Sequence, residues 1–443
     1  MQGKGEFINS TSAFCKKCNQ SHSAQVIREE NDIIFVVDCP EGKRESLISS
    51  NANMFLKYRA RSSISVSATS PERDMKWSYI VEVTNACNYC CPVCFNSCGE
   101  SDSSWMLSTT EAKKLAAQLK KRHGKSVVLS GGEPFCHPDL PELVEIFSSK
   151  GFRTTIATNG HKISEDPDIL QVLKKKGLYM LLLQFDTLND TICHKIRGGK
   201  LVAIKKKAVD AMVELGVRCG LTCTVTSLNV MEAGELLRYC VTKSPWLKIL
   251  NFQIAFPVGR YLLPSDTVVD REAVIEALEN SQLFSHSISW ENFWPHPVFK
   301  PWNSEVHPDC SANLILLTSK NGVTPIDSLV NQNGLYKRLY QNKMRSNFFT
   351  KNIVPLYYIL RETPPSRWLS LASHFFGFMT GYTSKNIILV AVNNVMDPDC
   401  IDENRIARCA LELITRNGSS SPCCCHGAPK IHNCTTPTEV TGK

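Results

Sequence analysis

Three cysteines with the spacing CxxxCxxC follow a short strand-like apolar run, and their type and spacing predict metal chemistry. They are Cys87, Cys91 and Cys94. Iron–sulfur clusters are normally held by four thiolates. Three thiolates this close together can therefore hold three irons of a [4Fe–4S] cluster and leave the fourth iron open to a substrate or cofactor. The alternative is a structural zinc site completed by Cys90 or Cys98, because short cysteine spacings also bind zinc.

A glycine-rich turn ends the next predicted strand. The apolar run 126–130 is followed by Gly131, Gly132, Glu133 and Pro134. The two glycines allow unusual backbone conformations and a close approach to a ligand. The Glu133 carboxylate is an acceptor suited to a ligand ammonium group. On its own, the sequence GGEP is also typical of an ordinary turn.

Together the two motifs resemble those of the radical S-adenosylmethionine (radical SAM) superfamily. In that superfamily the CxxxCxxC loop holds a [4Fe–4S] cluster, SAM chelates the open iron, and a GGE-type turn binds the SAM amino group. The resemblance implies that the three cysteines of the loop are cluster ligands. It also implies that Gly131, Gly132 and Glu133 contact the methionine end of SAM.

Composition and charge exclude several classes of protein. The chain has 443 residues, 43% of them hydrophobic and 21% charged, as in an ordinary globular protein. Its net charge of +8 comes without a dense Lys/Arg block, so nucleic-acid binding is not expected, whereas an anionic substrate or membrane surface fits. Twenty cysteines without a visible signal peptide indicate a reducing cytoplasm and metal binding. No apolar run approaches the ~18 residues of a spanning helix, which predicts a soluble or peripheral protein.

Strand-like and helix-like runs alternate between residues 76 and 285. This alternation predicts an α/β fold with a parallel sheet and right-handed crossovers. The six units match the partial (β/α)6 TIM-type barrel of radical SAM enzymes. The predicted strands are 79–84, 126–130, 153–157, 179–185, 220–226 and 249–256, and the predicted helices are 109–123, 139–150, 167–176, 203–215 and 231–241.

Three polar residues near the ends of the third and fourth strands are further candidates for binding SAM. Asn159 closes the third strand, where a simple turn is an equally good interpretation. The resemblance implies that Asp186, at the end of the fourth strand, accepts from ribose hydroxyls. Arg197 suits bidentate recognition of the SAM carboxylate, although it also fits a surface ion pair.

A small cysteine-rich module precedes the core, at residues 1–75 with its linker. Cys15 and Cys18 form a CxxC pair, and Cys39 follows a β-rich stretch. Two thiolates on one turn and a third across a hairpin suit a rubredoxin-like or zinc site. His22 is a candidate fourth ligand, but it also fits a plain surface residue, and a metal-free CxxC is the remaining alternative.

Residues 286–443 are predicted to be an irregular region that carries further cysteines and an aromatic segment. Cys310, Cys409, Cys423 and Cys424 are candidates for an auxiliary cluster, the alternative being unrelated free thiols. The segment 335–382 is rich in aromatic residues and has seven Lys or Arg against one acid. This composition favours either an interfacial segment or a helical lid over the barrel mouth.

The chain as a whole is similar to one branch of the superfamily. That branch contains archaeal tetraether lipid synthases and dihydro-hydroxymethylpterin methyltransferases. The matching elements here are CKKC with CPEG, NACNYCCPVCF, FQIAFPVGRY, HPDC and the ending MDPDC…RIARC…PCC. In this branch the N-terminal cysteines hold a mononuclear iron or zinc, and later cysteines hold auxiliary [4Fe–4S] clusters. The family's histidine in the CPE-His-Gly turn is missing, because this chain reads Gly42-Lys43 there.

The resemblance implies an enzyme that cleaves SAM reductively to a 5′-deoxyadenosyl radical and functionalises an unactivated C–H bond. The leading expectation is carbon–carbon bond formation on a lipid chain, with C-methylation of a pterin-like or other small molecule as the alternative. An external one-electron reductant of the flavodoxin or ferredoxin type is implied. The competing class is a non-catalytic metal-binding interaction protein with a degenerate barrel.

Overall fold

A computed structural model describes most of the chain. The described residues are 5–15, 17–61, 78–99, 105–281, 288–295, 306–319, 322–331, 361–368, 387–398, 401–416, 418 and 420–425. The predicted interfacial or lid segment 335–382 lies outside the described residues except for 361–368, and the predicted linker 61–74 lies outside them except for Arg61.

The N-terminal module is an antiparallel sheet with one helix packed on it. Its strands are β1 (Glu6–Cys15), β2 (Gln20–Glu29), β3 (Asp32–Val37) and β4 (Arg44–Ser49), followed by helix α1 (Ala52–Arg59). Alternate apolar side chains face α1 and form a small core around Val26, Phe35 and Phe55. The Asn51 side chain caps α1 by accepting from the backbone N–H of Met54.

The rest of the described chain forms a large sheet and its covering helices. The strands are β5 (Ser78–Thr84), β6 (Val93–Cys94), β7 (Ser126–Gly131), β8 (Arg153–Thr158), β9 (Met180–Gln184), β10 (Cys219–Val225), β11 (Leu247–Ile254), β12 (Arg260–Tyr261), β13 (Ser311–Ser319), β14 (Gly322–Pro325), β15 (Ile387–Asn393), β16 (Ile401–Asp402), β17 (Leu411–Ile414) and β18 (Ser420–Pro422). The helices are α2 (Thr109–Lys121), α3 (Leu140–Ser149), α4 (His161–Glu165), α5 (Ile169–Lys175), α6 (Asp190–Arg197), α7 (Val202–Glu214), α8 (Ala233–Thr242), α9 (Arg271–Asn280) and α10 (Glu403–Ala407).

The sheet has the order β14-β13-β15-β11-β10-β9-β8-β7-β5-β17-β18, and its middle eight strands are parallel. The edge strands β14 and β18 do not pair with each other in the described chain, so the sheet is an open, partial barrel. The six predicted strands correspond to β5, β7, β8, β9, β10 and β11, each within two residues at either end. Because parallel strands end at one edge, residues following β5, β7, β8 and β9 are brought together there.

The helices form because their apolar faces cover this sheet. Helix α2 begins with a capping box, in which Ser108 and Glu111 satisfy each other's backbone N–H groups. Its buried face, which includes Leu115 and Leu119, packs into the continuous core with β5 and β7. The helix closes the connection between the two strands whose ends carry the cysteine loop and the glycine turn.

The C-terminal region differs from the irregular structure expected for it. Strands β13, β14 and β15 extend one edge of the sheet, and β17 and β18 extend the other. The stretch 403–414 has a helix-like sequence, but only its first half is helical, as α10, and its end is strand β17. Its apolar side chains pair with β5, and this long-range contact outweighs the local helical pattern. Strand β16 pairs with β1, so this region also contacts the N-terminal sheet.

In the part of the chain that the structure describes, no helix is both long and apolar enough to cross a membrane.

Candidate cluster and cofactor site

The cysteine loop lies at the carboxyl edge of the sheet and is held by a second, two-stranded sheet. Cys94 is in β6, which pairs with β12 so that Arg260 lies opposite Cys94. A Cβ on Gly259 would lie 2.5 Å from the carbonyl oxygen of Cys94, so only glycine allows β12 to approach this closely. Arg260 donates from Nε to the Cys91 carbonyl (2.6 Å) and from Nη2 to the Cys98 carbonyl (2.8 Å).

Two thiols of this loop, those of Cys87 and Cys91, are in an environment that disfavours the free thiolate. Burial raises the pKa of Cys87 to about 12, and the Glu133 carboxylate and Cys91 add to this effect. Burial also raises the pKa of Cys91, although the Arg197 guanidinium acts in the opposite direction. Neighbouring thiolates therefore require a cation among them, and metal ligation removes a thiol proton outright.

The glycines of the predicted turn face the cysteine loop. The backbone N–H of Gly132 donates to the Thr84 carbonyl (2.7 Å), and that of Glu133 donates to the Ala86 carbonyl (2.8 Å). A Cβ on Gly131 or on Gly132 would lie 2.1 Å from one of these carbonyl oxygens. The close approach that requires glycine is thus between two protein backbones, whereas the sequence predicts a close approach to a ligand.

Glu133 is buried and fixes the ends of two strands. Its carboxylate accepts hydrogen bonds from Thr158 Oγ1 (2.8 Å), from the backbone N–H of Asn159 (2.6 Å) and from that of Phe135 (3.1 Å). Burial raises the pKa of the Glu133 carboxyl despite these hydrogen bonds. The carboxylate expected to meet a ligand ammonium therefore already joins the end of β7 to the end of β8.

A buried acceptor without a partner lies beside the same turn. Asn96 donates from Nδ2 to the Gly131 carbonyl (3.0 Å), whereas its Oδ1 is buried and has no hydrogen-bond partner. Buried polar atoms are normally paired, so an orphaned one calls for an explanation. An amide oxygen in this position is suited to a ligand group that donates hydrogen bonds.

Asp186 and Arg197 form a buried ion pair with each other. The sequence analysis predicts that Asp186 binds the ribose of SAM and that Arg197 binds its carboxylate. Arg197 donates from Nε (2.7 Å) and Nη2 (2.9 Å) to the two carboxylate oxygens of Asp186. It also donates to the Val93 carbonyl (2.8 Å) and to Thr224 Oγ1 (2.7 Å). Although burial acts to lower it, the pKa of the Arg197 guanidinium is raised by the Asp186 carboxylate. The pair connects the end of β9 to the cysteine loop.

Lys205 is a residue of this site that the sequence reasoning missed. It lies on α7, is 1% exposed, and donates from Nζ to the Asn159 carbonyl and to Gln184 Oε1 (2.9 Å). The ring of Tyr89, in the cysteine loop, is centred 5.5 Å from Nζ. Burial lowers the pKa of Lys205 to about 8, against the attraction of Asp186. The available signal was a lysine in the register of buried α7 residues, three positions after Val202.

The N-terminal cysteines form a compact group. In the described chain, the sulfur atoms of Cys15, Cys18 and Cys39 all lie within 4.8 Å of one another, and His22 Nε2 lies 2.9 Å from Cys18 Sγ. Burial acts to raise the pKa of the Cys15 thiol, but hydrogen bonds from the backbone of Cys18 and Lys17 outweigh it and lower the pKa. The group has the donor types and spacing of a tetrahedral metal site.

The four C-terminal candidate cysteines are neighbours in space. Burial raises the pKa of Cys310 to about 12, and nearby Cys424 and Cys409 raise it further. Burial, Cys424 and Cys409 likewise raise the pKa of Cys423. The side chain of Arg405 lies beside this group and lowers the pKa of Cys310. Cysteines from three separate segments of the chain thus influence one another, and the auxiliary cluster stays a prediction.

Comparisons with known proteins agree with the geometry of the core. The model of the Radical SAM superfamily matches residues 81–240, which include the cysteine loop, the glycine turn, Asp186, Arg197 and Lys205. The chain is 27% identical to 7,8-dihydro-6-hydroxymethylpterin dimethyltransferase of Methanocaldococcus jannaschii, over 66% of this chain and 62% of that protein. It is 32% identical to Fe-coproporphyrin III synthase of Methanosarcina barkeri, over 36% of this chain and 40% of that protein. The chain thus spans less than two thirds of either relative.

Among solved structures, SuiB of Streptococcus suis bound to S-adenosylmethionine is similar over 44% of both chains, with a TM-score of 0.39 and 18% identity.

Proposed function

We propose that the chain is a radical SAM enzyme that functionalises an unactivated C–H bond, because residues 81–240 match the model of the Radical SAM superfamily. The superfamily uses a [4Fe–4S] cluster and SAM. When bound, the two supply a reductively generated 5′-deoxyadenosyl radical that abstracts hydrogen. The protein itself must bind and orient the cofactor and the substrate, and it must exclude water from the site.

Three observations support the fit of these groups to the described residues. Cys87, Cys91 and Cys94 offer three sulfur ligands on one loop, the donor type that iron–sulfur clusters take. Two arginines, Arg197 and Arg260, lie against that loop, which suits an anionic cluster. The orphaned Asn96 Oδ1 is an acceptor suited to the ammonium of an amino acid, and the buried ammonium of Lys205 is a cationic donor suited to its carboxylate.

The protein would orient these groups through fixed backbone contacts. The start of the cysteine loop, at Ala86, is tied to the turn after β7 by the backbone N–H of Glu133, and the loop is tied to β12 by Arg260. Glu133 joins that turn to Asn159, and Asp186 with Arg197 joins the end of β9 to the loop. Any movement of one strand end is transmitted to the cysteines, which makes the site preorganised.

We favour a pterin-like or related small molecule as the substrate and C-methylation as the reaction. The similarity to a dihydropterin dimethyltransferase, which extends over 66% of this chain, supports this choice. Joining of lipid chains is the second candidate, favoured by the basic and aromatic composition of the segment 335–382. In either case the proposal requires an external one-electron reductant, such as a flavodoxin or ferredoxin.

The first experiment tests the reaction class. Protein reconstituted anaerobically with iron and sulfide is incubated with SAM and dithionite, and 5′-deoxyadenosine is measured. We expect product from the wild type and from Cys90→Ala, and none above background from Cys91→Ala. Equal turnover in Cys91→Ala and wild type would refute the proposal, as would a colourless protein that holds only zinc.

The second experiment chooses between substrates. SAM with a deuterated methyl group is supplied with 7,8-dihydro-6-hydroxymethylpterin or with anionic lipid vesicles, and products are analysed by mass spectrometry. C-methylation predicts a deuterated methyl group on the pterin. Lipid-chain joining predicts a new carbon–carbon bond without that label. If neither product forms, both substrate proposals are wrong, and the reaction class is decided by the first experiment.

A further inference from the structure

We infer that Lys205 binds the carboxylate of S-adenosylmethionine, an inference that rests on the proposed function. The sequence analysis assigns the binding of this carboxylate to Arg197. Lys205 lies in α7, whose exposed face is lined by other lysines, but its own side chain points inward and its ammonium reaches the carboxyl edge of the sheet.

Arg197 has little capacity left for a second carboxylate. A guanidinium has five N–H donors. Four of them are used, two on the Asp186 carboxylate, one on the Val93 carbonyl and one on the Thr224 hydroxyl. Bidentate recognition of another carboxylate would require it to release Asp186, which would leave that carboxylate buried without its cation.

Lys205 is in the opposite situation. An ammonium has three N–H donors, and here two of them go to neutral oxygen atoms, the Asn159 carbonyl and Gln184 Oε1. Within the described residues, no carboxylate oxygen lies within the 4.0 Å of an ion pair from its Nζ. A buried ammonium with neutral partners is costly, and an incoming anion would offset that cost.

The position of this ammonium also fits the ligand. Tyr89 comes from the loop between Cys87 and Cys91, and its ring is close to Nζ. The Asn159 carbonyl accepts from Lys205, and the backbone N–H of Asn159 donates to the Glu133 carboxylate in the glycine turn. Asn159 therefore links the proposed carboxylate site to the glycine turn. Asn96 lies beside the same turn, and its Oδ1 has no hydrogen-bond donor. The carboxylate and ammonium of one amino acid must be close together in this way.

Equilibrium binding of SAM and of decarboxylated SAM to cluster-loaded protein tests the inference. Decarboxylated SAM keeps the ammonium and the sulfonium and lacks only the carboxylate. A charge-assisted hydrogen bond corresponds to about 10- to 100-fold in affinity. We expect Lys205→Met to lower the affinity for SAM by this factor and to leave the affinity for decarboxylated SAM unchanged. Lys206→Met, which removes an exposed charge from the same helix, should bind both as the wild type does.

The outcomes separate the two proposals. A wild type that holds a cluster but binds neither compound contradicts the proposed function itself. A wild type that binds SAM while Lys205→Met binds it equally well overturns the assignment of Lys205 alone. Equal weakening of both compounds also overturns it, because that is the pattern of a structural defect. If the methionine variant does not fold, Lys205→Gln, which can still hydrogen-bond to Gln184, carries the same comparison.

Discussion

Arg260 donates a hydrogen bond from Nε to the carbonyl oxygen of Cys91, 169 residues earlier in the chain, over 2.6 Å. A second donor of the same guanidinium reaches the Cys98 carbonyl. Arg260 is 8% exposed, its hydrogen bond to the Cys98 carbonyl is buried, and its hydrogen bond to the Cys91 carbonyl is partly buried. One cation thus fixes the backbone on both sides of Cys94 and links the shape of the cysteine loop to β12.

Arg260→Ala is therefore expected to loosen the loop. Each buried carbonyl left unsatisfied costs about 1–3 kcal/mol, so we expect the free energy of unfolding to fall by about 2–4 kcal/mol. Iron retained after anaerobic gel filtration should fall with it. Arg260→Lys keeps the charge but offers no fork for two carbonyls, and should be intermediate. Wild-type iron content in the alanine variant would mean that the loop holds its shape without Arg260.

Gly132→Ala tests the contact between the glycine turn and the cysteine loop. The new Cβ would lie 2.1 Å from the Ala86 carbonyl oxygen, and backbone cannot move aside as a side chain can. Overpacking of this kind costs about 1–3 kcal/mol, and we expect iron and sulfide per chain to fall as well. Gly199→Ala is the matched control, because its Cβ would meet only the flexible side chain of Leu201. Similar losses in both variants would contradict the argument.

Asp186→Asn tests whether this residue serves the fold or a ligand. Removing one partner of a buried ion pair costs about 3–5 kcal/mol, and Arg197 would be left charged among neutral groups. We expect a loss of that size in urea unfolding of the protein without ligand, and a smaller one in the double variant Asp186→Asn/Arg197→Met. If Asp186→Asn unfolds as the wild type does but binds SAM more weakly, the ribose role that the sequence predicts is correct.

The core fold could be predicted because its signals are local. Each strand of the parallel sheet is a short apolar run, as in 126–130, and the helices between the strands end in glycines such as Gly151 and Gly177. The C-terminal strands could not be predicted in this way. Ile387–Asn393 reads as an apolar run, but its place beside β11 depends on a contact more than 130 residues away.

The site could be predicted in its composition but not in its connections. Each of the motifs CxxxCxxC and GGE is a short continuous stretch of sequence, so its residue types and spacing are enough to recognise it. The orientation of α6 relative to the sheet brings Arg197 to Asp186. The orientation of α7 buries Lys205 and leaves Lys206 exposed. Such orientation is a tertiary property. A lysine in the apolar register of a helix is the one local sign of it.

The lowered pKa of Lys205 predicts a pH dependence of stability. In the folded protein this ammonium loses its proton from about pH 8, whereas an unfolded lysine keeps it to about 10.5. Between these values the unfolded state binds more protons, so stability rises with pH. The titratable and charged groups that face Lys205 are Asp186, Arg197, Glu133, Cys193 and Tyr89. We expect wild-type protein without cofactors to gain about 2 kcal/mol relative to Lys205→Met from pH 8 to 10. Parallel curves for the two proteins would contradict the prediction.

His22 is predicted to complete the N-terminal metal site. Tetrahedral sites take four ligands, and Cys15, Cys18 and Cys39 supply three. The turn after Cys39 offers glycine at position 42 and no imidazole, whereas His22 Nε2 lies 2.9 Å from Sγ of Cys18, one of the three grouped cysteines. With zinc bound, X-ray absorption at the zinc edge should show three sulfurs at about 2.3 Å and one nitrogen at about 2.0 Å. His22→Ala should lose the nitrogen and about tenfold or more in zinc affinity, while the exposed His194→Ala keeps both. An all-sulfur shell in the wild type would instead recruit a fourth cysteine, and His22 would then be a surface residue.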